Sequence, residues 1–247
     1  MNILLLDIET APNLVHVWGL WQQNVGLPQI ISSGYVLCWS AKWHKKSKIY
    51  FDSVNQSKPY NMLSRIHTMM SRADAIVHYN GTKFDVPTLN KEFIKHEFKP
   101  PAPSHQIDLL HVVKRVARFE SNKLDYVSKY LGIGEKVRHE GHELWIKCME
   151  KDPAAWKRMK EYNQQDVLLL EKLYTRMLPW IDRHPSHAAF EDSPCCPNCG
   201  SERYQQNGYR ITKTMKYARF LCQDCGTWFR GTKSVSPKME RFIGIPA

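Results

Sequence analysis

Apolar and polar positions alternate with different periods along the chain. Residues 2–7, Asn2-Ile3-Leu4-Leu5-Leu6-Asp7, form an unbroken apolar run that predicts a strand buried on both faces and ending at Asp7. Residues 36–43 and 48–52 predict two further strands, the second followed by a loop that ends near Pro59. Met62, Leu63, Ile66 and Met70 recur at helical spacing, so a helix is expected over 60–72. A strand over 75–79 and a helix over 86–96 follow, and a short strand ending at Ile107 comes after the Pro100-Pro101 break. From Leu109 to Leu178 the pattern is mostly helical, with Gly132 and Gly134 as punctuation. Strands first, then alternation, then helices predict an α/β fold with a mixed sheet rather than a barrel or a bundle.

The stretch 182–194 loses apolar periodicity and contains two prolines, as a linker would. The expected organisation is a main domain over 1–185, a linker over 186–194, and a small module with a basic tail over 195–247. Composition agrees: 43% hydrophobic and 24% charged residues are near globular averages, which excludes a disordered chain. Apolar runs stop far short of the ~18 residues a membrane helix needs, and no basic leader precedes the first strand. The expectation is a cytoplasmic protein with no membrane partner. Thirty-five Lys and Arg against 24 Asp and Glu leave +11, which favours a polyanionic partner. Residues 194–247 carry nine basic and three acidic side chains, so +6 of the surplus lies in the last 54 residues.

Three short segments carry chemistry. In Asp7-Ile8-Glu9-Thr10, strand alternation puts Asp7 and Glu9 on one face. Their repulsion is relieved by protonation, by water or by a divalent cation, and hard oxygen ligands favour Mg²⁺ or Mn²⁺. In Asn80-Gly81-Thr82-Lys83-Phe84-Asp85-Val86-Pro87, a strand ends in a glycine turn and Asp85 falls where a helix N-cap is preferred. Capping alone would account for it. In Tyr162-Asn163-Gln164-Gln165-Asp166, the i, i+4 spacing puts Tyr162 and Asp166 on one helix face. Asp108, His111, His142 and Glu143 suit structural roles, Asp108 as a strand end or helix cap, and neither a G-x-S-x-G elbow nor a P-loop occurs.

Taken together, D-x-E on the first strand, N-x3-F-D at a helix start and Y-x3-D on a late helix resemble the three motifs of the DEDD exonucleases, tyrosine subgroup. Over roughly residues 1–180 the chain is similar to the 3′-to-5′ exonuclease domains of family B DNA polymerases and their stand-alone phage and bacterial relatives. The resemblance implies an RNase H-like fold, a mixed five-stranded sheet flanked by helices, and a two-metal mechanism using Mg²⁺ or Mn²⁺. It implies that Asp7, Glu9 and Asp166 hold one metal, that Asp7 with Asp85 nearby holds the second, and that Tyr162 orients the attacking water. Thr10, Asn80 and Phe84 would then touch the terminal nucleotide or support the site. Residues 12–30 form a long segment bearing Trp18 and Trp21, which either cover the core or stack on a base. The implied substrate is nucleic acid, above all single-stranded DNA 3′ ends, with a replication or repair protein as a further partner. An exoribonuclease of the same mechanism and a recruitment protein with a vestigial nuclease fold are the alternatives.

Cysteine usage adds a second metal. Cys196-Pro-Asn-Cys199-Gly and Cys222-Gln-Asp-Cys225-Gly are two CxxC knuckles, which together offer four thiolates to one structural Zn²⁺. The intervening residues read as ribbon strands with Asn207-Gly208 as their turn. The segment resembles the zinc ribbons of DNA-handling proteins. Cys195 is left over, and Cys38 and Cys148 read as plain buried thiols. Arginines and aromatics interleave through the ribbon, as in surfaces that track a nucleic-acid backbone and stack its bases.

Overall fold

The computed structural model describes residues 1–235; the end of the expected basic tail, 236–247, lies outside the described residues. Two compact units result: Asn2–Tyr174, and Thr175 onward together with Met1.

The first unit is built on a five-stranded sheet in the order β5-β4-β1-β6-β7. Strand β1 (Ile3–Thr10) is followed by a small hairpin, β2 (Leu14–Val15) and β3 (Ile30–Ser32), then by β4 (Val36–Trp43) and β5 (Ile49–Ser53). Helix α1 (Pro59–Ser71) leads to β6 (Ala75–His78), and α2 (Asp85–Lys95) leads to β7 (His105–Asp108). Helices α3 (Leu109–Val116), α4 (Leu124–Tyr130), α5 (His142–Met149) and α6 (Pro153–Met177) complete the order. Central β1 runs antiparallel to β4 and parallel to β6, so the sheet is mixed. It is the expected RNase H-like sheet.

Parity along β1 decides what each face receives. Leu4, Leu6 and Ile8 pack with Met62, Leu63, Ile66 and Met70 of α1 and with Leu89 and Phe93 of α2. On the opposite side, Leu37 and Cys38 of β4 pack with Leu144 and Cys148 of α5 and with Trp156, Met159 and Tyr162 of α6. Asp7 and Glu9, two residues apart, fall on the α6 side. The strand runs past Asp7 because Asp7 and Glu9 still pair with Ser40 and Cys38 of β4. The register then slips between Glu9 and Thr10. The acids therefore sit within the strand beside a bulge, a device that re-aims side chains.

Two other expectations are corrected, and one open alternative is removed. Strand β6 stops at His78 because Asn80 takes a left-handed φ of 66°. Trp18 and Trp21 do not cover the core: they are 100% and 84% exposed on the segment between β2 and β3. Asn207-Gly208 is not the ribbon's turn. The ribbon has three antiparallel strands, β8 (Tyr204–Ile211), β9 (Lys216–Cys222) and β10 (Trp228–Ser234), and Asn207-Gly208 lies inside β8. There the register slips between Gln206 and Tyr209 while Gly208 adopts φ +71°, as a glycine bulge does. The β8–β9 turn falls instead at Thr212–Met215, where the Thr212 N–H donates to the Met215 carbonyl at 2.8 Å.

Candidate active site and metal centres

Strand β1, helix α2 and helix α6 bring the motif residues together. Asp7 and Glu9 project from β1 toward α6, whose buried stripe includes Met159, Tyr162, Asn163, Asp166 and Leu170 at helical spacing. One ligand oxygen each from Asp7, Glu9 and Asp166 lies within 4.8 Å of the others. Asp85 stands outside this trio, yet its charge raises the pKa of both Asp7 and Glu9. Asp85 is not the N-cap of α2. Phe84 occupies that position, Asp85 is the first helical residue, and its carboxylate accepts the Ile8 N–H at 3.2 Å. That bond ties the start of α2 to the middle of β1.

The turn that delivers Asp85 is held from β7. Asp108 accepts the N–H groups of Asn80 at 2.9 Å and Thr82 at 3.3 Å. It also caps α3 by accepting from Leu110 at 3.1 Å, so both expectations for Asp108 hold. Burial would raise its pKa, but the Asn80 N–H and His78 bring it below the ordinary carboxylate range. Its ring held by Gln106 at 3.1 Å, His78 accepts the Gly81 N–H at 3.1 Å.

The site's electrostatics are dominated by burial. Burial and then the charges of Asp166, Glu9 and Asp85 raise Asp7 well above the ordinary aspartate value. Burial and then Asp166 raise Glu9 to about 8, against Lys136 and a hydrogen bond from Trp145. Burial raises Asp85 to about 7 despite the Ile8 N–H. Asp166 is raised by burial as well.

Four residues with no expected role complete the site. Lys136, in the loop between α4 and α5, donates to the Tyr162 hydroxyl at 3.1 Å and to the Asp166 carboxylate. Its backbone N–H donates to Asp125 of α4 at 3.0 Å, which fixes the loop. Burial works against its charge, yet Asp166 and Tyr162 raise its pKa above the usual lysine value. Asn163 donates to the Asp7 carboxylate at 2.6 Å. Trp145 and His139 meet the Tyr162 ring edge-on, with centroids at 6.0 and 4.7 Å. Lys136 had no readable signal among 35 basic residues. Asn163 had one, since its i, i+3 spacing puts it on the same helix face as Asp166.

The remaining sequence candidates are spread out. Thr10 is half-buried just past the bulge, Phe84 is 45% exposed at the head of α2, and Asn80 makes the left-handed turn. Trp18 and Trp21 are on the exposed segment that follows β1.

In the second unit, the Sγ atoms of Cys196, Cys199, Cys222 and Cys225 lie within 4.8 Å of one another. Cys196–Cys225 and Cys199–Cys222 are 3.7 and 3.6 Å apart. A tetrahedron with metal–sulfur bonds of about 2.3 Å has edges of about 3.8 Å, so the spacing suits Zn²⁺. Burial works against the Cys222 thiolate, but the N–H groups of Cys225 and Asp224 bring its pKa down to about 7. Cys195, Cys38 and Cys148 are buried outside this cluster.

A carboxylate cluster on the central strand of a mixed five-stranded sheet, closed by a returning helix, defines an RNase H-like nuclease fold. The chain belongs to the RNase_H superfamily: the RNase_H_2 family model matches residues 31–178. That span holds Asp85, Tyr162 and Asp166 and begins after Asp7 and Glu9, which the structure itself adds. Among solved structures, the chain is similar to the family B DNA polymerase from the hyperthermophilic archaeon Pyrobaculum calidifontis, with a TM-score of 0.53 and 17% identity. The match covers 72% of this chain and 24% of the polymerase, so the chain corresponds to about a quarter of that protein. No curated protein matches the sequence.

Proposed function

We propose that the protein is a metal-dependent 3′-to-5′ exonuclease that hydrolyses phosphodiester bonds at single-stranded or frayed DNA ends. The carrying observation is the trio Asp7, Glu9 and Asp166, which bring one carboxylate oxygen each within 4.8 Å of the others, Asp166 buried and Asp7 and Glu9 half-buried. The trio fits a hard divalent cation. All its donors are carboxylate oxygens, and the Asp166 Oδ1 is buried with no hydrogen-bond partner among the described residues. Asp7, Glu9 and Asp166 would hold one Mg²⁺ or Mn²⁺, and Asp7 with Asp85 a second. Such a pair supplies Lewis-acid stabilisation of the phosphate and a more acidic water.

The chain's own residues orient and hold. Burial and the nearby carboxylates raise the Tyr162 hydroxyl above the ordinary tyrosine pKa, so at neutral pH it keeps its proton. It acts as a positioner of water and phosphate oxygen, not as a base. Lys136 fixes that hydroxyl and offsets part of the carboxylate charge. Asn163 holds Asp7 in one rotamer. Thr10, Asn80 and Phe84 contact or support the terminal nucleotide, and Trp18 and Trp21, free of core contacts, stack on its bases.

The functional division is a catalytic part over 1–185, a linker over 186–194, and a zinc ribbon and basic tail over 195–247, with one structural Zn²⁺ bound through Cys196, Cys199, Cys222 and Cys225. The reading places the protein in the cytoplasm, with a replication or repair protein as a partner. Among the described residues no helix is long and apolar enough to cross a membrane.

Purified protein with Mg²⁺ or Mn²⁺, given 5′-labelled single-stranded DNA, duplex DNA and RNA, tests the reading. A ladder shortening from the 3′ end of the DNA strand is expected. Shortening of RNA alone, or release of the 5′-label as a mononucleotide, would overturn the substrate or the polarity.

A further inference from the structure

Pairing in the ribbon sorts side chains onto two faces. Directly opposed residues share a face, so the pairs Arg210–Tyr217, Arg219–Arg230 and Leu221–Trp228 lie on one side of the sheet. The other side carries Tyr204, Phe220 and Phe229, whose rings meet at 5.4–5.5 Å and form the ribbon's own small core.

The first face has an unbalanced charge. It holds three guanidinium groups, and none of the three strands contains an Asp or Glu. Arg219 and Arg230 are directly opposed, a like-charge pairing that destabilises a sheet. An external anion would relieve it. The arginines are also held in place. Arg219 lies over the Trp228 ring at 4.8 Å and Arg230 over Tyr217 at 3.9 Å. The Arg219 Nε donates to the Asn207 carbonyl at 2.9 Å, a group presented by the β8 bulge. Arg210 and Arg230 are exposed, and Trp228 is 50% exposed.

Ring-supported guanidinium planes offer two things together: a fork of donors that matches a phosphate, and a flat surface on which a base stacks. A duplex hides its base faces, and a phosphoprotein or lipid surface has phosphate without them. We propose that the ribbon face bearing Arg210, Tyr217, Arg219, Trp228 and Arg230 is a docking surface for single-stranded nucleic acid. It rests on the nuclease reading for its substrate class and adds where the strand is gripped outside the carboxylate site.

The test is fluorescence anisotropy of a labelled oligothymidylate with the full chain, without added Mg²⁺, over a range of KCl, with bound zinc measured for each protein. Arg219→Gln/Arg230→Gln should weaken binding at least about tenfold and flatten the log–log salt slope by about 1.4, two contacts at about 0.7 each on a single strand. Trp228→Ala should weaken binding about tenfold with the slope unchanged. Arg219→Lys/Arg230→Lys should keep the slope and lose part of the affinity, which serves should the glutamine pair lose zinc. Unchanged affinity in the glutamine and alanine variants, or equal binding of duplex or anionic vesicles, would overturn the proposal. A wild-type protein that binds the strand but never cuts it with Mg²⁺ would refute the exonuclease reading and leave this face standing.

Discussion

Glu9 and Asp85 carry the clearest physical signature of the site, because burial holds their pKa values near 8 and 7 while ordinary carboxylates titrate near about 4. A group whose folded pKa lies above its unfolded value stabilises the fold below the unfolded pKa and loses that contribution as pH rises through the folded one. The metal-free protein should therefore lose thermal stability between about pH 4 and pH 8. Added Mg²⁺ or Mn²⁺ should restore it, more at pH 8 than at pH 5, since a metal competes with the same protons. Thermal scans across pH with and without the metal check this, and a metal-free Tm that climbs steadily to pH 8 would contradict it. Tyr162→Phe removes one hydroxyl that Lys136 and Asp166 hold. Loss of orientation alone should lower kcat by about 100-fold while Mn²⁺ affinity, read by calorimetry, stays within about twofold. A parallel collapse of metal binding would make Tyr162 part of the metal site's architecture instead.

At the scale of elements, the site depends on how three segments meet, and this is where sequence and structure differ most. The i, i+2 acids of β1 and the i, i+4 pair of α6 were legible because each motif lies within one regular element. Asp85 was legible as a motif, but its hydrogen bond to β1 was not. Its partner, the Ile8 N–H, is 77 positions away, and no local pattern predicts such a bond. Lys136 was invisible for a related reason: it comes from an irregular loop whose placement depends on Asp125. For Trp18 and Trp21 the sequence left core packing and base stacking both open, since a hydrophobic segment between strands can project as easily as pack, and their exposure removes the first.

The turn at 80–82 is the joint with most at stake. Asp108→Ala would strip two turn N–H groups and one helix N–H of their acceptor, at a cost of about 1–3 kcal/mol. Activity should fall as well, although Asp108 is not one of the motif acids, because Asp85 would lose its fixed approach. Denaturant melts and single-turnover rates measure the two effects, and unchanged rates at reduced stability would uncouple the turn from the site. Gly81 belongs to the same joint: a Cβ there would lie 2.4 Å from the His78 ring.

For the whole molecule, the division of charge matters more than its sum. More than half of the +11 surplus lies in the last 54 residues, while the larger unit gathers four carboxylates that would repel phosphate without cations beside them. Four thiolates around Zn²⁺ carry −2, so a metal-loaded tail keeps about +4. The two metals should answer to different reagents. A zinc-selective chelator should melt β8–β10, seen as loss of the ribbon's amide protection, and leave Asn2–Tyr174 folded with its Mg²⁺-dependent stabilisation intact. Persistent protection of β8–β10 after zinc removal would show that the thiolate cluster is not what holds the ribbon.

We propose that four acids form a nuclease site that digests DNA from its 3′ end. The most direct test is a time course of purified protein with Mg²⁺ on 5′-labelled single-stranded DNA, run beside an Asp7→Asn/Asp166→Asn double variant. A ladder that shortens from the 3′ end and vanishes in the variant is expected. Equal cleavage by the two proteins, or none by the wild type with either Mg²⁺ or Mn²⁺, would contradict it.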